Sequence, residues 1–286
     1  MNKFNRFLVL FPALIVITGC AGSFSSTQAQ QEISQIETSS TASAETLSYD
    51  DYAAVLETYI DEKALVDYQG LKVNRQQLDK FNASLGQVTA STYESWSSAE
   101  QIAFWINAYN SFTLESIIDQ NPLKKSIKDI PGVWKGRKFQ IAAQSKTLDN
   151  IEHQTLRKDF NEPRIHVALV CAAMSCPPLR DEPYTGEKLD AQLDDQTRIF
   201  LNSPQGFRID RQEGRVYLSS IFKWFGKDWE KTYGVDGKFT GNASQRAVLN
   251  FISGYLSAED KEYLAQGNYK VRYLDYDWSL NSQNKI

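Results

Sequence analysis

The residue types that could do chemistry gather in one stretch of 25 residues. The chain has two histidines, His153 and His166, and the same stretch contains Glu152, Cys171 and Cys176. A histidine beside a cysteine can take the thiol proton and leave a thiolate, and a carboxylate can orient the imidazole ring. The first candidate chemistry is therefore nucleophilic catalysis by a cysteine.

The sequence leaves open which histidine would serve which cysteine. A strand predicted over 165–171 would place His166 and Cys171 about 16 Å apart on opposite faces, at about 3.3 Å per residue. Cys171 would then need His153 from a preceding helix, whereas Cys176 would meet His166 only if its loop folds back. Glu152 and His153 are neighbours on that helix and point about 100° apart. Glu152 therefore does not simply orient His153, and it could orient His166.

Two other uses of these residues compete with catalysis. A disulfide between Cys171 and Cys176 suits an oxidising compartment and an even number of cysteines. A zinc site would use both histidines with a cysteine or Glu152, which are suitable ligand types. Their spacing matches no common zinc signature, so we expect neither a metal nor another cofactor.

Two amides lie in the most apolar helix that the sequence predicts. Asn107 and Asn110 are three residues apart in a helix over 99–119, which is apolar nearly all round and should be buried. A buried amide needs hydrogen-bond partners. These amides either hold neighbouring loops through the backbone, or one of them faces the thiol or the substrate.

The predicted helices and strands that position these residues do not alternate regularly along the sequence, which favours an α+β fold. We predict a single mixed domain with a buried central helix and a small sheet. Helices are predicted from Ser48 and over 74–85, 99–119 (capped by Ser98), 148–160, 187–202, 221–233 and 244–256. Strands are predicted over 64–70, 138–142, 165–171, 207–209, 216–218 and 269–276. The cluster of Trp224, Phe225 and Trp229 is assigned to the core.

The first residues of the chain are typical of an export signal. Lys3 and Arg6 precede an apolar run over 8–17, which is shorter than the roughly 20 residues that a spanning helix needs. The sequence ITGC that ends at Cys20 resembles the bacterial lipobox, in which the cysteine is acylated, for example with palmitate. We therefore predict a lipoprotein signal peptide over 1–19 and lipid attachment at Cys20.

The rest of the chain fits a tethered domain. Ala21 follows the predicted lipidated cysteine, and by resemblance to Gram-negative sorting rules this favours the outer membrane, with the protein facing the periplasm. Residues 20–46 are rich in small and polar side chains and read as a flexible tether, and 47–280 as one globular domain. A net charge of −4 does not suggest a nucleic-acid partner. The expected partners are the membrane, through the lipid, and an envelope peptide or protein.

Several motifs in a fixed order resemble one family. They are AFWINAYN at 103–110, IEH at 151–153, RIHVALVC at 164–171 and SCPP at 175–178, with a further motif within 218–229. Through these motifs the chain is similar to the domain of unknown function 547 family, over about residues 74–236.

The resemblance implies a papain- or transglutaminase-like thiol hydrolase with a cysteine, a histidine and a glutamate. The implied roles are nucleophile for Cys171, base for His153 (with His166 as the alternative), orienting acid for Glu152, and polar support for Asn107 or Asn110. Plant relatives have other residues in place of Cys176, which favours Cys171 as the family cysteine. One departure is the order of residues, since papain-like enzymes place the thiol early, at a helix N-terminus.

Two functions from different classes follow. The first is a thiol-dependent hydrolase or transferase that acts on an amide or peptide of the envelope. The alternative is a non-catalytic periplasmic binding or scaffold lipoprotein, in which the histidines and cysteines form a structural cluster.

Overall fold

The computed structural model of the protein describes residues 47–284. The predicted signal peptide, Cys20 and the tether lie outside these described residues. The α-helices are Asp50–Tyr59, Tyr68–Val73, Gln76–Gln87, Ala90–Ser95, Ser98–Ile118, Arg157–Asp159, Ile165–Ala168, Leu189–Asn202, Ser220–Phe225, Glu230–Tyr233, Ala243–Ser253 and Ala258–Gln266. A π-helix spans Asn150–Leu156, and 3₁₀ helices span Ile127–Asp129 and Gly226–Trp229. The strands are Phe139–Ile141, Gln144–Lys146, Phe207–Asp210, Arg215–Leu218 and Lys270–Tyr273. The predicted α+β class is confirmed.

The helix Ser98–Ile118, called the central helix below, organises the first half of the core. Every residue from 102 to 114 is buried, so the prediction of a buried central helix is confirmed. The helix begins at a capping box in which the Ser97 hydroxyl accepts the Glu100 N–H and the Glu100 carboxylate accepts the Ser97 N–H. The cap is thus Ser97, one residue before the predicted Ser98.

Two hydrophobic clusters meet at the short helix Ile165–Ala168. Ile165 and Ala168 pack into the cluster around the central helix. Val167 packs into the second cluster, with Trp229 and Phe251. His166 therefore stands at the junction of the two clusters, on an element that is packed on both sides.

The second cluster lies against a three-stranded sheet. Phe207–Asp210 pairs antiparallel with Arg215–Leu218, as the predicted hairpin requires, and Arg215–Leu218 pairs in parallel with Lys270–Tyr273. Residues 274–284, called the C-terminal segment below, leave this sheet and run beside the loop that follows Cys171. Met174 N–H donates to the Ser279 carbonyl at 2.8 Å, and Asn281 N–H donates to the Ala172 carbonyl at 3.1 Å.

Two predicted strands are wrong. Residues 165–168 form a helix, because an apolar run that is buried on all sides looks the same for a strand and a buried helix. Residues 68–73 also form a helix, which Asp67 caps by accepting the Gly70 N–H. In the predicted strand 64–70, Val66 alone forms bridges, to Ile60 and Ser282. Between residues 47 and 284, none of the helices is long and apolar enough to cross a membrane.

Candidate functional site

A cavity of about 340 Å³ collects the residues that the sequence singled out for chemistry. It lies between the central helix, the π-helix Asn150–Leu156, the loop after Ile165–Ala168 and the C-terminal segment. We call it the Cys171 pocket. Its lining contains Glu152, His153, His166, Cys171 and Cys176, together with Tyr109, Trp134, Lys135, Asp149, Leu169, Ile221, Trp224, Phe225, Tyr276 and Trp278.

The two cysteines of the pocket form a disulfide, with 6.1 Å between their Cα atoms. The Cys171 N–H also points at the Cys176 sulfur, at 2.9 Å. The Tyr276 hydroxyl lies 3.2 Å from each sulfur. Of the alternatives that the sequence left open, the structure contains the disulfide, and a thiolate at Cys171 requires its reduction.

Asn110 positions the chain that leads into Cys171. Its amide donates to the Ala168 carbonyl at 3.0 Å and accepts the Val170 N–H at 2.8 Å. The side chain thus satisfies both backbone groups where the helix ends and the chain extends. One residue beyond Cys171, Ala172 has a φ of 60°, a left-handed conformation that is uncommon outside glycine.

Asn107 holds a different loop through the same kind of backbone hydrogen bonds. Its amide donates to the Tyr184 carbonyl at 2.7 Å and accepts the Tyr184 N–H at 2.9 Å. Both asparagines therefore hold loops through backbone hydrogen bonds, and neither lines the Cys171 pocket. Of the two interpretations offered for these amides, the structure supports the positioning one.

His166 is oriented by a carboxylate that the sequence analysis did not select. Its Nε2 lies 2.8 Å from Asp228 Oδ2, and its ring stacks on Phe225 with 4.2 Å between centroids. Asp228 in turn receives two hydrogen bonds from Arg157, at 2.6 and 2.9 Å. Since Asp228 accepts the Nε2 proton of a neutral ring, the lone pair of Nδ1 remains. Nδ1 has no hydrogen-bond partner within residues 47–284.

Burial keeps the His166 ring neutral. Burial lowers the pKa of His166, against the opposing effect of Asp228. Burial alone would raise the pKa of Asp228, but hydrogen bonds from His166 and Arg157 hold that pKa well below its ordinary value. Asp228 is therefore a carboxylate and His166 a neutral imidazole at neutral pH.

His153 has a different environment at the edge of the same pocket. The Arg157 guanidinium donates to its Nδ1 at 3.0 Å, and its Nε2 lies 3.8 Å from Asp149. Burial and then the Arg157 charge lower its pKa. Because Arg157 already occupies Nδ1, the hydrogen bonds favour His166 over His153 as a base.

Glu152 is a largely buried carboxyl group in the pocket wall. Burial raises its pKa to about 7, although the Arg157 charge and the Tyr109 hydroxyl act in the opposite direction. It makes no hydrogen bond to His166 within the described part of the chain. The carboxylate that hydrogen-bonds His166 in the structure is Asp228. The motif at 218–229 contains Asp228, but nothing in the sequence gave it a role.

The outer wall of the pocket is aromatic. Trp224 has 46% of its surface exposed and stacks on Trp278, with 5.8 Å between ring centroids. Tyr276 lies 4.8 Å from Trp224 and 4.5 Å from Trp278. The assignment of Trp224 to the core is therefore wrong, because it lies on the pocket side of its short helix, whereas Trp229 is fully buried. Sequence reasoning missed Tyr276 and Trp278, which lie about 100 residues from the cysteines.

Residues 93–201 match the DUF547 family. The family model is described as a protein of unknown function, DUF547. The match supports the family resemblance for this part of the chain, and its bounds are narrower than the motifs suggested. None of the curated proteins and none of the solved structures matches the chain.

The DUF547 match covers some of the residues of the site and leaves out others. All the reactive side chains first considered lie inside it, namely Glu152, His153, His166, Cys171 and Cys176. Asp228, Trp224 and the C-terminal segment come after it. In the described part of the chain, no group of three or more His, Cys, Asp or Glu side chains is arranged to hold a metal ion.

Proposed function

We propose that the protein is a thiol-dependent hydrolase or transferase whose active site is the Cys171 pocket. The observation that carries the proposal is that Cys171 and His166 line one cavity, with His166 oriented by Asp228. A carboxylate that holds one imidazole nitrogen leaves the other available as a base, as in hydrolases that use an activated nucleophile. The substrate class is a peptide or amide of the bacterial envelope.

The location is part of the same proposal. A signal peptide over 1–19 and a lipid on Cys20 would anchor the protein to the outer membrane, with the domain in the periplasm. The tether over 20–46 would let the pocket reach peptides near the membrane. The membrane is then a partner through the lipid alone.

The proposed reaction begins from the reduced cysteine. The Cys171 thiol passes its proton to Nδ1 of His166, and the sulfur forms a bond to the substrate carbonyl carbon. The bond from that carbon to nitrogen breaks as His166 returns the proton to the leaving amine. Water, or an amine in the transferase case, then attacks the thioester and releases Cys171. Burial raises the pKa of Tyr276, so its hydroxyl stays protonated and can donate to the thiolate.

The disulfide makes reduction a requirement of this reaction. A sulfur bonded to Cys176 cannot act as a thiolate nucleophile. A dithiol reductant must first supply two electrons and two protons to this disulfide, which leaves two thiols in the protein and a disulfide in the reductant. The oxidised protein is then the inactive form.

The test compares labelling of the protein by an acyloxymethyl ketone, which reacts with activated cysteines. We expect no labelling of the oxidised wild type and labelling at Cys171 after reduction. Cys176→Ser is the matched control, because it frees Cys171 without reductant, whereas Cys171→Ser should not be labelled. His166→Gln in the Cys176→Ser background should slow labelling about 100-fold, in line with the usual contribution of a base. The proposal would be contradicted if the labelling rate depended on pH as for an ordinary thiol and did not change in the His166→Gln variant.

The disulfide favours a second candidate function, that of a non-catalytic binding or scaffold lipoprotein. Both sulfurs are occupied, and within residues 47–284 no hydrogen bond joins either imidazole to a sulfur. In this case the histidines and cysteines stabilise the pocket, and the pocket binds a ligand without reaction. A disulfide that resists reduction in the folded protein, with no labelling at Cys171, would favour this function.

A further inference from the structure

The Cys171 pocket contains an acid that the proposed reaction does not use. The side chain of Glu152 is 13% exposed and lines the cavity. One carboxylate oxygen of Glu152 lies 3.9 Å from Nδ1 of His153. That nitrogen already accepts a hydrogen bond from Arg157. Within the described residues, Glu152 forms no ion pair with a lysine or an arginine. A carboxyl group placed this way can accept hydrogen bonds from a ligand.

A second acid lies beside it and is only loosely paired. Asp149 lines the same cavity, and its nearest cation is Lys135 at 3.7 Å. The Lys135 side chain is 81% exposed, so water screens this contact. Charge complementarity therefore favours a positively charged ligand group.

The aromatic wall favours the same charge. Trp134, Trp224, Tyr276 and Trp278 all line the cavity. The faces of such rings attract cations, and tryptophan does so most strongly. Lys128, which does not line the cavity, lies 5.0 Å from the Trp278 ring centroid, so this ring already contacts one cation of the protein.

We propose that the Cys171 pocket recognises its substrate through a side-chain primary ammonium group on a peptide, held by Glu152 and the tryptophans. The inference rests on the proposed function, because it names the substrate class of the same site. A primary ammonium has three N–H donors for the carboxylates as well as a charge for the rings. A quaternary ammonium would lack the donors, and an anionic group would meet two carboxyl groups.

The recognition should depend on pH through Glu152. The titratable and charged groups around this carboxyl are Tyr109, His153, Arg157, Asp149, Asp228 and Tyr276. Because burial raises the pKa of Glu152 to about 7, the ionised fraction increases about tenfold between pH 6 and pH 8. An alkyl ammonium keeps its charge over this range. Binding should therefore strengthen about tenfold from pH 6 to pH 8.

The experiment is calorimetric titration of the oxidised, full-length protein with Nα-acetyl-lysine amide. The comparison ligand is the same molecule acetylated on Nε, which removes the charge. We expect the charged ligand to bind at least tenfold more tightly. Glu152→Gln should weaken binding about tenfold and remove its pH dependence. Trp224→Ala, at an exposed side chain, should weaken binding about threefold or more. Glu62→Gln, on an exposed surface away from the pocket, should change nothing.

The outcomes separate this inference from the proposed reaction. Equal affinity for the two ligands, no measurable binding of the charged one, or an unchanged affinity in Glu152→Gln would overturn ammonium recognition. The titration uses the disulfide-bonded protein, so its result does not depend on thiol chemistry. Failed labelling of reduced Cys171 with normal ammonium binding would overturn the hydrolase and leave a binding protein for the same ligand class.

Discussion

At the scale of single residues, two acids of the site have different environments. Asp228 receives hydrogen bonds from Arg157 and His166 and remains ionised. Glu152 is buried beside aromatic rings, and its pKa is raised to about 7. The two carboxyl groups therefore suit different tasks, because one orients an imidazole permanently and the other changes charge near neutral pH.

The raised pKa of Glu152 predicts a pH-dependent cost in stability. Between pH 4.5, the ordinary value for this group, and about pH 7, the folded protein keeps a proton that the unfolded chain has released. The free energy of unfolding should therefore fall as the pH rises through this window, by about 3 kcal/mol in total. Glu152→Gln should remove the fall and be about 3 kcal/mol more stable than the wild type at pH 8.

Urea unfolding of both proteins at pH 4.5 and pH 8 measures this difference. Glu62→Gln provides the control, since an exposed glutamate should leave the wild-type profile unchanged. If Glu152→Gln and the wild type differ by the same amount at both pH values, Glu152 does not titrate as described.

At the scale of elements, one buried amide shapes the approach to Cys171. The short helix Ile165–Ala168 ends where the Asn110 side chain of the central helix donates to the Ala168 carbonyl and accepts the Val170 N–H. A helix rises about 1.5 Å per residue and a strand about 3.3 Å. The helical turn therefore shortens the path from His166 to Cys171, and both side chains line the same cavity.

The Asn110 contacts predict a large loss of stability in Asn110→Ala. This change leaves two buried backbone groups without partners, which we expect to cost about 3 kcal/mol. The matched control is Ser111→Ala on the same helix, because the Ser111 hydroxyl bonds only to the Ala108 carbonyl of its own helix. It should cost less than about 1 kcal/mol. Chemical denaturation of the two variants checks the difference, and similar small losses in both would show that Asn110 does not hold the loop.

The sequence predicted the elements whose pattern is local. The sequence predicted the central helix, the hairpin of Phe207–Asp210 with Arg215–Leu218 and the helix Leu189–Asn202, and all three are present. The turn at Ile165–Ala168 was mistaken for a strand, because what decides its form is the distant Asn110 side chain. Local pattern carries no information on such a contact.

At the scale of the whole molecule, the C-terminal segment connects parts that are far apart in sequence. It pairs with the loop between the cysteines, and it supplies Tyr276 and Trp278 to the pocket. Further along, the Tyr68 hydroxyl donates to the Asn281 side chain at 2.6 Å, and Val66 N–H donates to the Asn281 carbonyl at 2.8 Å. The last residues of the segment thus close the structure onto its first helices.

The Tyr68 contact predicts how firmly the segment is held. Tyr68→Phe removes a buried hydrogen bond and leaves the Asn281 oxygen unpaired, which should cost about 1–2 kcal/mol. Tyr184→Phe is the control, since its buried hydroxyl has no partner within residues 47–284, and its loss should be nearly neutral. Thermal unfolding measures both, and carboxypeptidase should digest Tyr68→Phe faster from the C-terminus. Equal behaviour of the two variants would contradict the role of Asn281.

The same long-range contacts mark the limit of what the sequence predicted for the site. Short spacing identified His153, His166, Glu152 and both cysteines, and the pocket brings them together. Tyr276 enters the pocket lining from the C-terminal segment, and Asp228 acts on the pocket through its contact with His166. Their separation from the cysteines, by 52 residues or more, leaves no periodic signal to find them.

The DUF547 match covers one part of the lining of the Cys171 pocket. The match contains Trp134 and ends at residue 201, before Trp224 and Trp278 of the aromatic wall. The two cysteines and the two histidines of the pocket therefore lie in the part of the chain that matches the family model, whereas Trp224, Tyr276 and Trp278 lie outside it. Under the proposed function, substitutions of Trp224 or Trp278 would change which ligands this pocket accepts and would leave its cysteines and histidines in place.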